Sequence, residues 1–176
     1  PISYGDTLYG ISKGMKDLKE MGYIDRLPGL AAAEVFHAAE RNLEQDNEIP
    51  IEQPGKPSIQ TSIATGWVTC QTIKALKECK GVARTSNDEE ALAMQKRFAK
   101  TEGIYAETAS CASLVVLEKL VAEGRIKPDD KVIVLITSTG LKDPGTTNLY
   151  LPKVPCIEPT LEAFKKAMKD SYGLEV

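Results

Sequence analysis

The sequence predicts an α/β protein, with a parallel sheet between helical layers in a three-layer αβα arrangement. Three observations predict it. Residues 132–136, Val-Ile-Val-Leu-Ile, form the kind of β-branched apolar run that marks a strand buried on both faces. Shorter apolar runs at 30–36, 82–85 and 104–106 alternate with helical stretches. Glycines close most of those helices, so the turns are short, and such strand–helix–strand connections are right-handed crossovers between parallel strands.

Taken in order, Pro1 and Ile2 read as the tail of a strand, and Ser3, Tyr4, Gly5, Asp6 and Thr7 as the turn that leads it into a helix. That helix runs from about Thr7 to Met21, with Leu8, Ile11, Met15 and Leu18 at helical spacing, and Gly22 stops it. Residues 30–36 are alanine-rich, which favours helix, but their place after a connector favours a short strand. The polar stretch 37–47 is compatible with helix, and the proline-rich stretch 48–57 is an exposed loop. Ile59 and Ile63 suggest a short helical stretch ending at Gly66, and 69–80 a helix with Ile73 and Leu76 inward. After a strand at 82–85, Ser-Asn-Asp-Glu-Glu at 86–90 is a helix start, a polar cap followed by acids at the positive end of the dipole. A brief strand at 104–106 precedes a small-residue turn, 107–113, that opens a helix with Leu114, Leu117, Leu120 and Val121 on its buried face. From Thr146 the prolines 152, 155 and 159 mark an extended tail, and 161–170 a terminal helix.

Composition narrows the function. A chain of 176 residues with 42% hydrophobic and 27% charged residues has the make-up of a soluble globular domain. Net charge is −3 without a basic block, which argues against nucleic-acid or acidic-membrane partners, and no apolar run approaches membrane-spanning length. Cys70, Cys79, Cys111 and Cys156 lack paired spacing and read as buried reduced thiols of a cytoplasmic protein, with no metal site. His37, the single histidine, reads as a solvated surface residue away from the strand ends, so a histidine-based hydrolase is disfavoured. Trp67 reads as packing.

Three turns are placed to carry chemistry, since each follows a strand and ligands of open α/β sheets bind at the carboxyl ends of strands. The turn Ser3 to Thr7 enters a helix N-terminus and suits a structural cap or a phosphate cradle equally, although Asp6 opposes an anion unless it points away. The turn from Glu107 to Ser113 permits close approach of a flat ligand, or plain packing. Thr137 can hydrogen-bond a ring nitrogen or simply satisfy a strand end.

The run Thr-Ser-Thr-Gly-Leu-Lys-Asp-Pro at 137–144 resembles the Thr-Gly-x-Gly-Leu-Lys-Asp-Pro segment of threonine synthases, pyridoxal-phosphate enzymes of the tryptophan-synthase-β (fold type II) group. Glu-Gly-Ile-Tyr-Ala-Glu-Thr-Ala-Ser-Cys-Ala-Ser at 102–113 is similar to that family's Glu-Gly-(Val/Ile)-(Phe/Tyr)-x-Glu-Pro-Ala-Ser-Ala-Ala-Ser, and residues 86–90 to its Ser-Asp-Glu-Glu helix start. Ile59, Thr61, Ile63 and Gly66 echo a further segment, and Lys13-Gly14 falls at the family's Lys-Gly. The resemblance implies that Ser3, Tyr4, Gly5, Asp6 and Thr7 hold the phosphate of pyridoxal 5′-phosphate. It also implies that Thr137 meets the pyridine nitrogen and that Glu107 flanks the ring. The implied reaction converts O-phosphohomoserine and water to threonine and phosphate.

Departures from the pattern leave room for relatives with other substrates. The loop is poorer in Gly and Asn than the family's, Thr108 replaces a proline, Ser138 a glycine, and Trp67-Val68 an Asn/Ser-Pro pair. They admit a cysteate synthase, an amino-acid ammonia-lyase or, in another class, a non-catalytic α/β binding module. The resemblance further implies that residues 1–176 are the C-terminal part of such an enzyme, mainly a truncated large domain. The lysine that carries the cofactor would lie upstream, so the chain alone would be inactive. Lys142 is not its equivalent. A sheet edge exposed by truncation would be covered by a homodimer or a swapped assembly.

Overall fold

The computed structural model describes residues 1–150 and 154–176, which form two compact units, 1–142 and 143–176. The first unit contains α1 (Asp6–Glu20), β1 (Ala31–Glu34), α2 (Ala38–Glu44), α3 (Cys70–Glu78), β2 (Val82–Thr85), α4 (Asp88–Glu102) and α5 (Thr108–Ala122). β1 and β2 pair in parallel, with Ala31 opposite Val82 and Glu34 opposite Thr85. Ile2 N–H donates to Ala33 O at 2.8 Å, so the chain start touches β1, although Pro1 and Ile2, expected as the tail of a strand, form none.

The strands are built of small residues because helices cover them on both faces. Side chains alternate with the period of two that an extended backbone imposes. Ala32 and Ala83 join Leu8, Ala38, Ala39, Ile73 and Leu76 in the core beneath α1, α2 and α3. Ala33, with Val35 and Val82, meets Ala109, Ala112, Val116 and Leu120 of α5 on the other side. A third cluster packs α4 against α5 through Met94, Cys111 and Val115, with Phe98, Leu114 and Ile136 at its margin. Burial pushes the Cys111 thiol up to about 11, so it is an inert core group.

Local signals set the helix ends. Thr69 caps α3 by accepting from Thr72 N–H at 3.2 Å. Asn87 and Glu90 form a reciprocal capping box on α4, each bond 2.9 Å. Gly103 stops that helix at φ 70.

Several expectations are corrected. Residues 132–136 form no strand, and Ile133 is 87% exposed. Only Val134 and Ile136 turn partly inward, and the stretch is anchored at its far end by an isolated antiparallel bridge between Ala106 and Thr139. Composition favours the extended backbone, but a strand is buried on both faces only where a ladder and helices flank it, and this stretch lacks that ladder. Residues 104–106 likewise contribute just that bridge. The short helix expected at 58–66 is one 3-10 turn, Thr61–Ile63. On α5, Val121 is exposed, and Val115, Val116 and Leu120 take the buried positions together with the small residues of the first turns. Cys70 and Cys156 are exposed, leaving Cys79 and Cys111 as buried thiols.

In the second unit, a helix, α6 (Pro144–Tyr150), replaces the extended tail expected from Thr146. Proline is favoured at a first helical position, and Asp143 Oδ1 accepts from Thr146 N–H at 3.0 Å. Hydrogen bonds from the Thr146 hydroxyl and N–H hold the Asp143 carboxyl below its usual range. Pro155 and Pro159 stand in irregular chain before α7 (Leu161–Tyr172), whereas Pro152 lies outside the described residues. No helix among the described residues is long and apolar enough to cross a membrane.

Candidate functional site

The structure gathers the residues singled out from the sequence into two clusters. The first is the turn of Ser3, Tyr4, Gly5, Asp6 and Thr7 at the start of α1. Gly5 is the N-cap residue at φ 98, and a Cβ on it would lie 2.0 Å from Thr72 Oγ1, so both backbone and space demand glycine. The Thr72 hydroxyl donates to Tyr4 O at 2.8 Å, and Thr69 N–H donates to the same carbonyl at 3.0 Å. The two threonine hydroxyls are 2.9 Å apart. The Tyr4 ring meets Trp67 edge-on, with centroids 5.6 Å apart. Trp67 is thus partly exposed packing for the turn. No side chain caps α1 at Gly5, and Asp6 and Thr7 are exposed, so the first N–H groups of the helix are offered outward.

The second cluster surrounds the start of α5. Glu107, 4% exposed, is its N-cap, and its N–H donates to Ser138 O at 3.0 Å. Ser62 donates to Glu107 Oε1, and Lys142 Nζ lies 3.4 Å from each carboxylate oxygen. One turn into α5, Ser110 is fully buried; its Oγ accepts from Ser138 N–H at 3.0 Å and stands 2.8 Å from Thr137 Oγ1. Glu107 and Thr137 are therefore brought together, with Ser110 between them. Thr108 Oγ1 donates to Ile59 O at 3.0 Å. Gln60 next door reaches Ser86 O at 2.9 Å and Asp88 Oδ1 at 3.2 Å. This chain of bonds ties the amino end of α5 to the residues just past β2.

Sequence reasoning missed Ser110, Ser62, Lys142 and Thr72, whose partners lie far along the chain. It also missed Glu34, buried at the end of β1, whose carboxylate accepts from Ala39 N–H and Glu40 N–H at 2.8 Å each. Burial pushes the Glu34 carboxyl up against the opposing pull of those two donors. His37 is exposed as expected, but it stands three residues past β1, at φ 57, with Nδ1 2.7 Å from Glu40 Oε2.

The family of pyridoxal-phosphate-dependent enzymes matches residues 1–138. The chain belongs to that family. Within it, the chain is 29% identical over 175 residues to the threonine synthase of Methanocaldococcus jannaschii, which covers 97% of this chain and 43% of the relative. It is 32% identical over 164 residues to the threonine synthase of Halalkalibacterium halodurans, covering 92% of this chain and 44% of that one. Among solved structures it resembles a fungal L-serine ammonia-lyase from Rhizomucor miehei, with a TM-score of 0.63, 18% identity, and coverage of 79% and 44%. This last likeness shows the fold, the fold type II architecture read from the sequence. The chain spans less than half the length of the curated relatives it matches.

The family's cofactor carries a phosphate and a pyridine ring, and the donor set here fits both. Uncapped N–H groups at the start of α1 suit a phosphate. A hydroxyl braced by a buried serine suits a ring nitrogen.

Proposed function

We propose that this chain is the cofactor-facing, C-terminal part of a threonine-synthase-like lyase that converts O-phosphohomoserine and water to threonine and phosphate. The observation that carries the reading is Thr137, which opens the Thr-Ser-Thr-Gly-Leu-Lys-Asp-Pro run and whose hydroxyl is braced by the buried Ser110. When bound, pyridoxal phosphate draws electrons away from the substrate's reacting carbons, which is the chemistry that elimination and replacement need. Gly5, Asp6 and Thr7 hold the phosphate with backbone N–H groups, and Thr137 orients the ring through its nitrogen. Glu107, fixed by Ser62 and Lys142, flanks the ring. Lys142 pairs with that carboxylate at 3.4 Å, a role distinct from cofactor attachment.

The test is phosphate release coupled to threonine formation by the complete gene product that carries these residues. Thr137→Val should lower turnover on the order of 10²-fold, as loss of one preorganised donor does. Residues 1–176 alone should be inactive. Release of ammonia from serine or threonine without phosphate turnover would identify an ammonia-lyase, and absence of any bound cofactor would identify a non-catalytic module. Either result overturns the proposal.

A further inference from the structure

Resting on the reading of Thr137 as the residue that meets the pyridine nitrogen, we propose that Ser110 is a positioning residue that fixes which way the Thr137 hydroxyl points. Its own hydroxyl donates to Thr137, so the Thr137 hydrogen turns outward, and Thr137 meets the ring nitrogen as a donor that holds it unprotonated.

The argument is one of proton count. A serine hydroxyl has one hydrogen and two acceptor lone pairs. Ser110 Oγ accepts from Ser138 N–H at 3.0 Å, and its other described partner is Thr137 Oγ1 at 2.8 Å. Two arrangements satisfy the second contact. If Thr137 donated inward, Ser110 would accept twice, and its hydrogen would have no acceptor among the described residues although the residue is fully buried. An unpaired buried donor is the costly arrangement. If Ser110 donates, every group is paired, and the Thr137 hydrogen has only the open side to point to. Thr137 itself is exposed, as a hydroxyl that meets a ligand must be.

The partners of Ser110 are also fixed in place. The serine sits in the first turn and a half of α5, and Ser138 is held from a second direction because its carbonyl accepts from Glu107 N–H at 3.0 Å. The hydroxyl pair therefore stands on a backbone clasp between α5 and residues 137–138. Sequence alone shows Ser110 merely as one small residue in Ala-Ser-Cys-Ala-Ser.

The consequence is a preference for an acceptor in the ligand. A protonated ring nitrogen is a donor and would face the Thr137 hydrogen head-on. The unprotonated nitrogen accepts it. Ser110 thus biases the nitrogen's titration toward lower pH without touching the ring.

The experiment loads the complete gene product with pyridoxal phosphate carrying ¹⁵N in the ring and follows the nitrogen resonance against pH. Wild type should stay at the unprotonated position through neutral pH. Ser110→Ala removes the hydrogen that occupies the Thr137 oxygen and leaves that oxygen free to accept from a protonated ring nitrogen, so the resonance should move upfield at a higher pH than in wild type. Thr137→Val should shift it further in the same direction, and Ser110→Thr should restore the wild-type curve. If Ser110→Ala does not fold, Ser110→Cys, nearly the same size but a weak donor, should give an intermediate shift. A purely structural serine would lower cofactor occupancy or melting temperature and leave the titration midpoint in place. If Thr137→Val moves the midpoint and neither Ser110→Ala nor Ser110→Cys does, the inference is overturned while the placement of Thr137 survives. If no variant moves it although the cofactor is bound, the placement of Thr137 falls, and the inference with it.

Discussion

Two stretches of this chain read as strands, one by its place in the chain and one by its composition, and the structure treats them in opposite ways. β1 is Ala-Ala-Ala-Glu, a poor strand by composition, yet Ala32 and Ala33 are 0% and 2% exposed between helices on both faces. Residues 132–136 are richer in strand-forming side chains and are largely exposed, with no ladder. The difference teaches that strand propensity describes fit to a half-buried pleated surface, and that burial follows from what is available to pack against it. Alanine succeeds in β1 because its small Cβ lets α3 and α5 approach the sheet closely. Val132 and Ile133 stay exposed in the later stretch because, among the described residues, neither a neighbouring strand nor a helix covers them.

The sharpest way to test the comparison is to damage the covered side. Leu76 of α3 is fully buried in the cluster that contains Ala32 and Ala83. Leu76→Ala should cost about 2–5 kcal/mol by leaving a cavity beneath the strands. Urea unfolding of the chain measures it. A loss under about 1 kcal/mol would mean that this face of the sheet is loosely packed and that the contrast with 132–136 is overstated.

This contrast also marks what was legible in the sequence. Features set within a few residues were readable. The helix start at residues 86–90, the stop at Gly103 and the boundaries of β2 are all local, and the structure has them where the sequence placed them. Features set by distant partners were not readable. The exposure of Ile133 depends on a ladder that composition does not report. The alternation on α5 failed at Val121 because its first turns are small residues that seat the helix on Ala33, which shifts the buried face. The site divides in the same way. Gly5 and Thr137 stood out by residue type and position, whereas Ser110 acquires meaning from partners 27 and 28 positions away, Thr137 and Ser138. Lys142 acquires its meaning from Glu107, 35 positions away.

The turn before α1 allows a second, smaller test, because it is held by the covered side of the sheet rather than by its own sequence. Gly5→Ala places a Cβ in the left-handed region at φ 98 and against Thr72. Strain of this kind costs about 1–3 kcal/mol. Thr72→Ser, which keeps the hydroxyl that Tyr4 O accepts from and removes the methyl near the new Cβ, should recover part of it. Thermal unfolding of the two single variants and the double variant gives the coupling. Simple additivity would show that Thr72 is not what confines Gly5.

Smaller again is the cap of α4, a local feature that the comparison predicts to act independently of the sheet. Asn87→Ala should cost about 1 kcal/mol. Glu90 adds a pH dependence. Partial burial raises its carboxyl, but the Lys119 ammonium and the Asn87 N–H outweigh that and hold it below its ordinary value of 4.5. A carboxyl depressed in the folded state stabilises above the unfolded value, and that contribution is lost as pH falls through the lower folded one. The stability deficit of Glu90→Gln should therefore be full at pH 7 and close progressively below about pH 4.5. A deficit that stays constant on acidification would mean that the charge contributes nothing and only the capping geometry matters.

The smallest expected effect is the most direct test of the exposed stretch. Ile133 is 87% exposed, so Ile133→Ala removes apolar surface that is already in water and should change stability by less than about 0.5 kcal/mol. The same substitution at a covered apolar position would be several times more damaging, as Leu76→Ala measures. Ile133→Lys extends the test, since a charge on an exposed unpaired segment should be tolerated and should also reduce any edge-to-edge association. Equal unfolding curves for wild type, Ile133→Ala and Ile133→Lys at low concentration establish the stretch as solvent-facing in this chain. A loss of 2 kcal/mol or more, on the scale of a buried aliphatic truncation, would mean that something covers Ile133 in solution. The dependence of that loss on protein concentration would then tell whether the cover is a second copy, because a contact between copies weakens on dilution and one within the chain does not.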